Sequence, residues 1–265
     1  MKTLKIGIVG FGRAGRTAAL EVIKDDELKL VWVARRSWPQ ATVQRTKSQR
    51  TVHLEGSDYL ALDSDDLADA HAMKLLRPDL ILDLAGSDAI QSYAHLASRR
   101  TRIVSAVSHY EPEDYELLRR VSRLTSVLHS PNITLGVNLI LVVARILRKL
   151  IPHADVQILE EHFADKKGRS GTAERIASML GLDPDETIRS IRAGGIVGRH
   201  ELIFGLPNQT VRLVHESVSR SAFARGAILS GKWLIDAEPG MYSMEKLVFG
   251  RMRKDFLAEA EEEAS

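Results

Sequence analysis

Cysteine is absent from the 265 residues, which excludes disulfides, thiolate metal sites and a thiol nucleophile, and makes a reducing cytoplasm the expected compartment. Net charge is nearly absent as well. With 37 lysines and arginines against 35 aspartates and glutamates, no global field favours nucleic acid or a membrane surface, so any positive potential must be local. There is no run of about 18 uncharged apolar residues, and MKTL passes into KIGIVGFG without a charged-then-apolar leader; a soluble chain is expected. Metal spacing is missing too: His53, His71, His95, His109, His129, His153, His200 and His215 are scattered without a His-x-x-x-His pair, and no metal is assigned. No internal repeat occurs, and the one biased segment, the tail AEAEEEAS, is expected to be a frayed, solvated end.

What remains is ordinary globular composition, 44% hydrophobic and 27% charged, enough for one large domain or two moderate ones. Four apolar runs read as buried strands: LKIGIVG (4–10), LKLVWVAR (28–35), DLILDLAG (79–86) and TRIVSAV (101–107), with helix-like segments between them. Short strands alternating with helices predict an α/β fold with a doubly wound parallel sheet covered on both faces. Near residue 128 the rhythm changes. A turn leads into a long helix, expected to line one side with Leu139, Val142, Val143, Ile146 and Leu150. ADVQILEEHF, VGRHELIFG and QTVRLVHESV then read as strands of a more antiparallel layer, and EPGMYSMEKLVFG as a turn and a short helix.

GIVGFGRAG places Gly10, Gly12 and Gly15 as G-x-G-x-x-G after a strand and at the start of a helix. The first glycine permits the tight turn, the second lets a pyrophosphate approach, and the third lets helix and strand pack closely. The strand, turn and helix context makes this a Rossmann-type dinucleotide fingerprint rather than a merely tight turn. About 20 residues on, where an acid would hold a ribose 2′-hydroxyl, the chain has Arg35 and Arg36. Both can pair with a 2′-phosphate, with Arg13 and Arg16 near the same anionic edge, so NADPH is expected over NADH.

Five blocks in order, SPNITLGVN, GRSGTAERIA, RAGGIVGRHELIFG, HESVSRSAFARGAILSGKWL and EPGMYSMEKL, resemble the 4-hydroxy-tetrahydrodipicolinate reductase (dihydrodipicolinate reductase) family of the lysine and diaminopimelate pathway. The resemblance implies a dinucleotide-binding domain over 1–128, completed by about 236–265, and a second α/β domain over 129–235 that binds substrate and builds a homo-oligomer, a tetramer or a dimer. It implies hydride transfer from a nicotinamide to a cyclic imine-like dicarboxylate. Matched to the family's Glu-x-His-His-x-x-Lys pattern, His162 and Lys166 take the proton-transfer positions, and Ser170, Gly171 and Thr172 form the carboxylate turn. Ala85, at the end of the third strand, joins the cofactor-binding residues. His200 and His215 fall on the family's sheet, in packing or hydrogen-bonding roles.

The chain departs from the family where the second histidine becomes Phe163, where the loop before Ser170 is one residue shorter, and where Gly-Thr-Thr reads Ser105-Ala106-Val107. Arg169 is expected to replace the lost histidine as a carboxylate partner or to mark a different acid. Two other readings follow: a related amino-acid dehydrogenase or imine reductase with a recut pocket, and a non-catalytic NADP(H)-binding regulator. Retention of both His162 and Lys166 argues against the last, since a sensor needs no acid there.

Overall fold

A computed structural model of the chain describes residues 3–39, 43–45, 50–69 and 76–263. His71 lies outside the described residues. Chain contacts divide the protein into two compact units, Met1–Ile133 with Phe223–Met244, and Thr134–Ala222 with Glu245–Ser265.

In the first unit, β1 (Leu4–Val9) leads into α1 (Arg13–Ile23) and β2 (Leu28–Ala34), as the apolar runs predict. The next stretch corrects the expectation of helix. It contains β3 (Gln44–Arg45), β4 (Arg50–Leu54) and β5 (Ser57–Leu62) before the five-residue α2 (Ser64–Ala68). β4 and β5 form an antiparallel hairpin whose two-residue loop holds Glu55 at φ +46° and Gly56 at φ +78°, the left-handed pair a tight hairpin needs. β6 (Leu80–Asp83), α3 (Ile90–Tyr93), β7 (Arg102–Ser105), α4 (Pro112–Val121) and β8 (Ser126–His129) follow.

Among the described residues the strands form a nine-stranded sheet in the order β13-β8-β7-β6-β1-β2-β5-β4-β3, where β13 is the late strand Gly240–Tyr242. All pairs from β13 to β5 are parallel, and the β5–β4–β3 edge is antiparallel. Strand order reverses at β1, whose neighbours are β2 and β6, which opens the crevice where such sheets bind ligands. Burial on both faces explains the continuous apolar runs: all four β6 residues are buried.

The second unit begins with α5 (Leu135–Leu150) and contains β9 (Asp155–His162), α6 (Gly171–Leu180), α7 (Pro184–Thr187), β10 (Ile188–Arg192), β11 (Arg199–Leu206) and β12 (Gln209–Glu216). Its sheet runs β10-β9-β11-β12; β10 lies parallel to β9, and the other pairs are antiparallel. The buried side of α5 differs from expectation. Val137, Ile140, Leu141 and Ala144 pack with Val156, Ile158, Ile176, Leu202 and Phe204, whereas Leu139 and Leu150 are exposed. The run LILVV is apolar on both sides, so periodicity alone could not choose the face.

The chain returns to the first unit through α8 (Ser221–Leu234), where a Cβ on Gly231 would overlap Leu80, and through β13. The last helix, α9 (Met244–Glu263), is 20 residues long, so the acidic tail is helical through Glu263 rather than frayed from residue 258. None of the described helices is long and apolar enough to cross a membrane.

Candidate functional site

In the first unit, Gly10 leaves β1 at φ +90°, and a Cβ there would lie 2.6 Å from the Ala85 backbone nitrogen; only glycine lets the β1 and β6 turns close together. A Cβ on Gly15 would overlap the Gly10 carbonyl oxygen. Gly12 has the opposite surroundings. Nothing lies within 4 Å of its missing Cβ; it is the N-cap of α1, no side chain caps that helix, and its first turn carries no acid. The open, positively polarised N-terminus fits a pyrophosphate.

A cavity of about 710 Å³ extends from this turn, lined by Gly10, Gly12, Arg35, Arg36, Ala85 and Asp88 among others. It gathers residues from the ends of β1 and β2, from the turn after β6, and from α2 and α3. Arg36 is ion-paired with Asp88. Arg13 and Arg16 are exposed on the first turn of α1, outside the lining.

Beneath the Ala85 turn lies a buried polar cluster that sequence reasoning missed. Asp83, fully buried, accepts from the Ala85 N–H at 3.0 Å and from the Tyr93 hydroxyl at 2.5 Å, while Tyr110 joins it to Ser105. Burial pushes the Asp83 carboxyl up to about 6, against the hydrogen bonds of Tyr93, Ala85 and Tyr110. An acid in the otherwise apolar LILDLAG was the available signal.

In the second unit, β9 alternates so that Val156, Ile158, Glu160 and His162 are all buried. Its register places Ser190 of β10 and His200 of β11 beside Glu160, and Arg192 beside His162. The fully buried Glu160 carboxylate collects its neighbours. It accepts from the Ser190 hydroxyl at 2.5 Å, from the Ser170 N–H at 3.3 Å and from both terminal nitrogens of Arg192, and it bonds His162 Nδ1 at 2.5 Å. Burial raises this carboxyl, but the hydrogen bonds of Arg192, Ser190 and His162 outweigh it and bring it to about 2.

Arg192 also donates to the Lys166 carbonyl at 3.1 Å and the Gly168 carbonyl at 2.6 Å, anchoring the loop between β9 and α6. Lys166 is half-buried on that loop. Burial holds His162 below the usual imidazole range; Glu160 opposes this, and the Lys166 and Arg192 charges add to it. His200 stands at the edge of the His162 ring, centroids 5.3 Å apart, and bonds Ser170 Oγ at 3.0 Å. Burial, helped by the His162 charge, lowers His200 to about 4.

The structure thus brings His162, Ser170 and Glu160 together, with the Lys166 charge felt at both His162 and His200. Ser170 is the N-cap of α6, and Gly171 and Thr172 form its first turn. Arg169 is ion-paired with Asp185 of α7, and Phe163 is exposed. Glu160, Ser190 and Arg192 were missed as site residues. The signal was a carboxylate two positions before His162 in a strand, hence on the same buried face. Among the described residues no three metal-ligating side chains gather.

A glycine-rich turn at the switch point of a parallel sheet, with a separate unit carrying a buried carboxylate–histidine pair, defines a Rossmann-type oxidoreductase. Residues 136–248 match the family described as dihydrodipicolinate reductase, C-terminus. The 4-hydroxy-tetrahydrodipicolinate reductase of Syntrophus aciditrophicus is 31% identical over 195 residues, 64% of this chain and 73% of its own. That of Caldanaerobacter subterraneus is 30% identical over 192 residues, 64% of this chain and 76% of its own. The chain belongs to the 4-hydroxy-tetrahydrodipicolinate reductase family.

Solved structures share the fold. A dipicolinate-bound dihydrodipicolinate reductase from Paenisporosarcina sp. TG-14 superposes with a TM-score of 0.72 at 20% identity, over 91% of this chain and 97% of that one. A C. glutamicum DAP dehydrogenase in complex with DAP gives 0.55 at 13%, over 93% and 94%. The family implies a nicotinamide nucleotide as cofactor.

Proposed function

We propose that the chain is an NADPH-dependent reductase acting on a cyclic imine-like dicarboxylate of the hydroxy-tetrahydrodipicolinate type. The observation that carries this reading is the buried Glu160–His162 pair beside the Ser170 N-cap, with Lys166 on the loop joining them. When bound, the nicotinamide supplies hydride. The chain's own residues do the rest. Ser170, Gly171 and Thr172 hold a substrate carboxylate at the α6 N-terminus, where the positive end of the helix dipole favours an anion. Lys166 attracts the dicarboxylate and delivers the proton the reduced product requires, with His162 as its partner in proton transfer. Arg35 and Arg36 select the 2′-phosphate, and Asp88 yields Arg36 to it.

A lysine-pathway enzyme working as a homo-oligomer in the cytoplasm is the corresponding biological setting. A dicarboxylate fits a site rich in fixed donors. Phe163, where the family has a histidine, and the engagement of Arg169 by Asp185 favour a second reading, an amino-acid dehydrogenase or imine reductase on the same fold. Monitoring NADPH oxidation with freshly prepared hydroxy-tetrahydrodipicolinate, then with other cyclic imines and oxo acids, decides between them. Turnover of the first substrate is expected; turnover of only the others would select the second reading.

A further inference from the structure

We propose that His200 is a positioning residue for substrate recognition: it donates from Nε2 to Ser170 Oγ and so reserves the Ser170 hydroxyl proton for a substrate carboxylate. The inference rests on reading the Ser170 turn as the carboxylate site, and it adds a residue from a different strand to that site.

His200 is 4% exposed, and its Nδ1 is buried without a hydrogen-bond partner among the described residues. Its Nε2 lies 3.0 Å from Ser170 Oγ. A neutral imidazole carries one N–H, so the pair has two arrangements. With the proton on Nδ1, a fixed N–H is buried with no acceptor while Ser170 spends its own proton on Nε2. With the proton on Nε2, the imidazole donates to Ser170 Oγ, Nδ1 keeps only a bare lone pair, and the hydroxyl proton has no acceptor until a ligand arrives. Each arrangement leaves one proton without an acceptor, but the ring N–H of the first is fixed in place, whereas the hydroxyl proton of the second can rotate toward an arriving acceptor, so the second arrangement wins.

The surroundings keep His200 in the neutral form this requires. Burial acts first, and the His162, His215 and Lys166 charges disfavour an imidazolium, with Glu160 alone opposing them. Ser170 is constrained independently. Its backbone N–H goes to Glu160, and its side chain, though at the N-cap of α6, makes no capping bond to that helix. A serine at an N-cap ordinarily accepts from its own helix. Here its oxygen is turned to His200, which leaves the proton as the group it can offer.

The test combines a structural and a kinetic readout. ¹⁵N NMR of the wild-type protein bound to NADPH is expected to show His200 as the Nε2–H tautomer at neutral pH. His200→Leu is expected to raise the KM for the dicarboxylate, and the Ki of pyridine-2,6-dicarboxylate, by roughly ten-fold, with the NADPH Kd unchanged. His200→Gln, whose amide can donate to the same oxygen, is expected to restore most of that loss, which a purely space-filling role would not predict. Adding His200→Leu to Ser170→Ala is expected to cost nothing further, because both act through one hydrogen bond. A dominant Nδ1–H tautomer in an active enzyme, a glutamine variant as impaired as leucine, or additive losses would overturn the role of His200 alone. A wild-type protein that neither reduces nor binds a dicarboxylate overturns the functional reading, and the carboxylate role with it.

Discussion

Arg192 straddles Glu160, one terminal nitrogen donating to Oε2 at 3.0 Å and the other to Oε1 at 2.5 Å, across two parallel strands. Because the carboxylate is fully buried, the pair holds together two charges that neither strand could bury alone.

Removing one partner is therefore expected to be far worse than removing none. Arg192→Met leaves an uncompensated carboxylate and frees the Lys166 and Gly168 carbonyls, for a loss of roughly 3–5 kcal/mol in urea unfolding. Glu160→Gln with Arg192→Met should recover part of it. A single variant as stable as wild type would contradict the clamp.

Asp83 gives a pH signature of opposite sign to most carboxylates. Its folded value is about 6, above the unfolded one, so the folded state holds the extra proton between about pH 4 and 6 and stability falls as pH rises through that window. Above pH 6 the full penalty, roughly 3 kcal/mol, is present. Asp83→Asn is expected to raise stability at pH 8, leave it unchanged near pH 4, and flatten the slope between. His200 acts the other way, since its folded value of about 4 lies below the unfolded one; its contribution is complete above pH 6.5 and lost as pH falls towards 4.

Arg35 and Arg36 line the cavity that the glycine turn opens, and Arg36 already holds an anion in Asp88. Replacing both arginines with alanine is expected to raise the KM for NADPH at least ten-fold more than that for NADH, by steady-state kinetics. Equal effects would remove the basis for 2′-phosphate selection.

Lys166→Ala is expected to lower kcat by roughly 10²–10⁴ while the Kd for NADPH, read by fluorescence titration, stays within about two-fold. A fully active variant would end the proton-donor role.

The sequence made some of this plain and hid the rest for physical reasons. β1, β2, β6 and β7 are buried on both faces, so they appear as continuous apolar runs, and the glycines of the first turn are dictated by close backbone approach. The β4–β5 hairpin was masked because Glu55-Gly56 is a weaker turn signal than Asn-Gly, and its flanks mix polar residues with apolar ones. His162 and Ser170 were visible through their motif. Glu160 shares a strand face with His162, a local signal that was passed over, whereas Ser190 and Arg192 were hidden because cross-strand register, which no local pattern reveals, is what brings them to it.

The placement of β13 has a consequence for biogenesis. The outer neighbour of β8 is a strand whose residues are 240–242, separated from Ser126–His129 by more than a hundred positions and the whole of another sheet. During synthesis, then, the first unit waits with an unpaired strand edge until nearly all of the polypeptide has emerged, and a chain stopped before residue 240 is left with a sticky border.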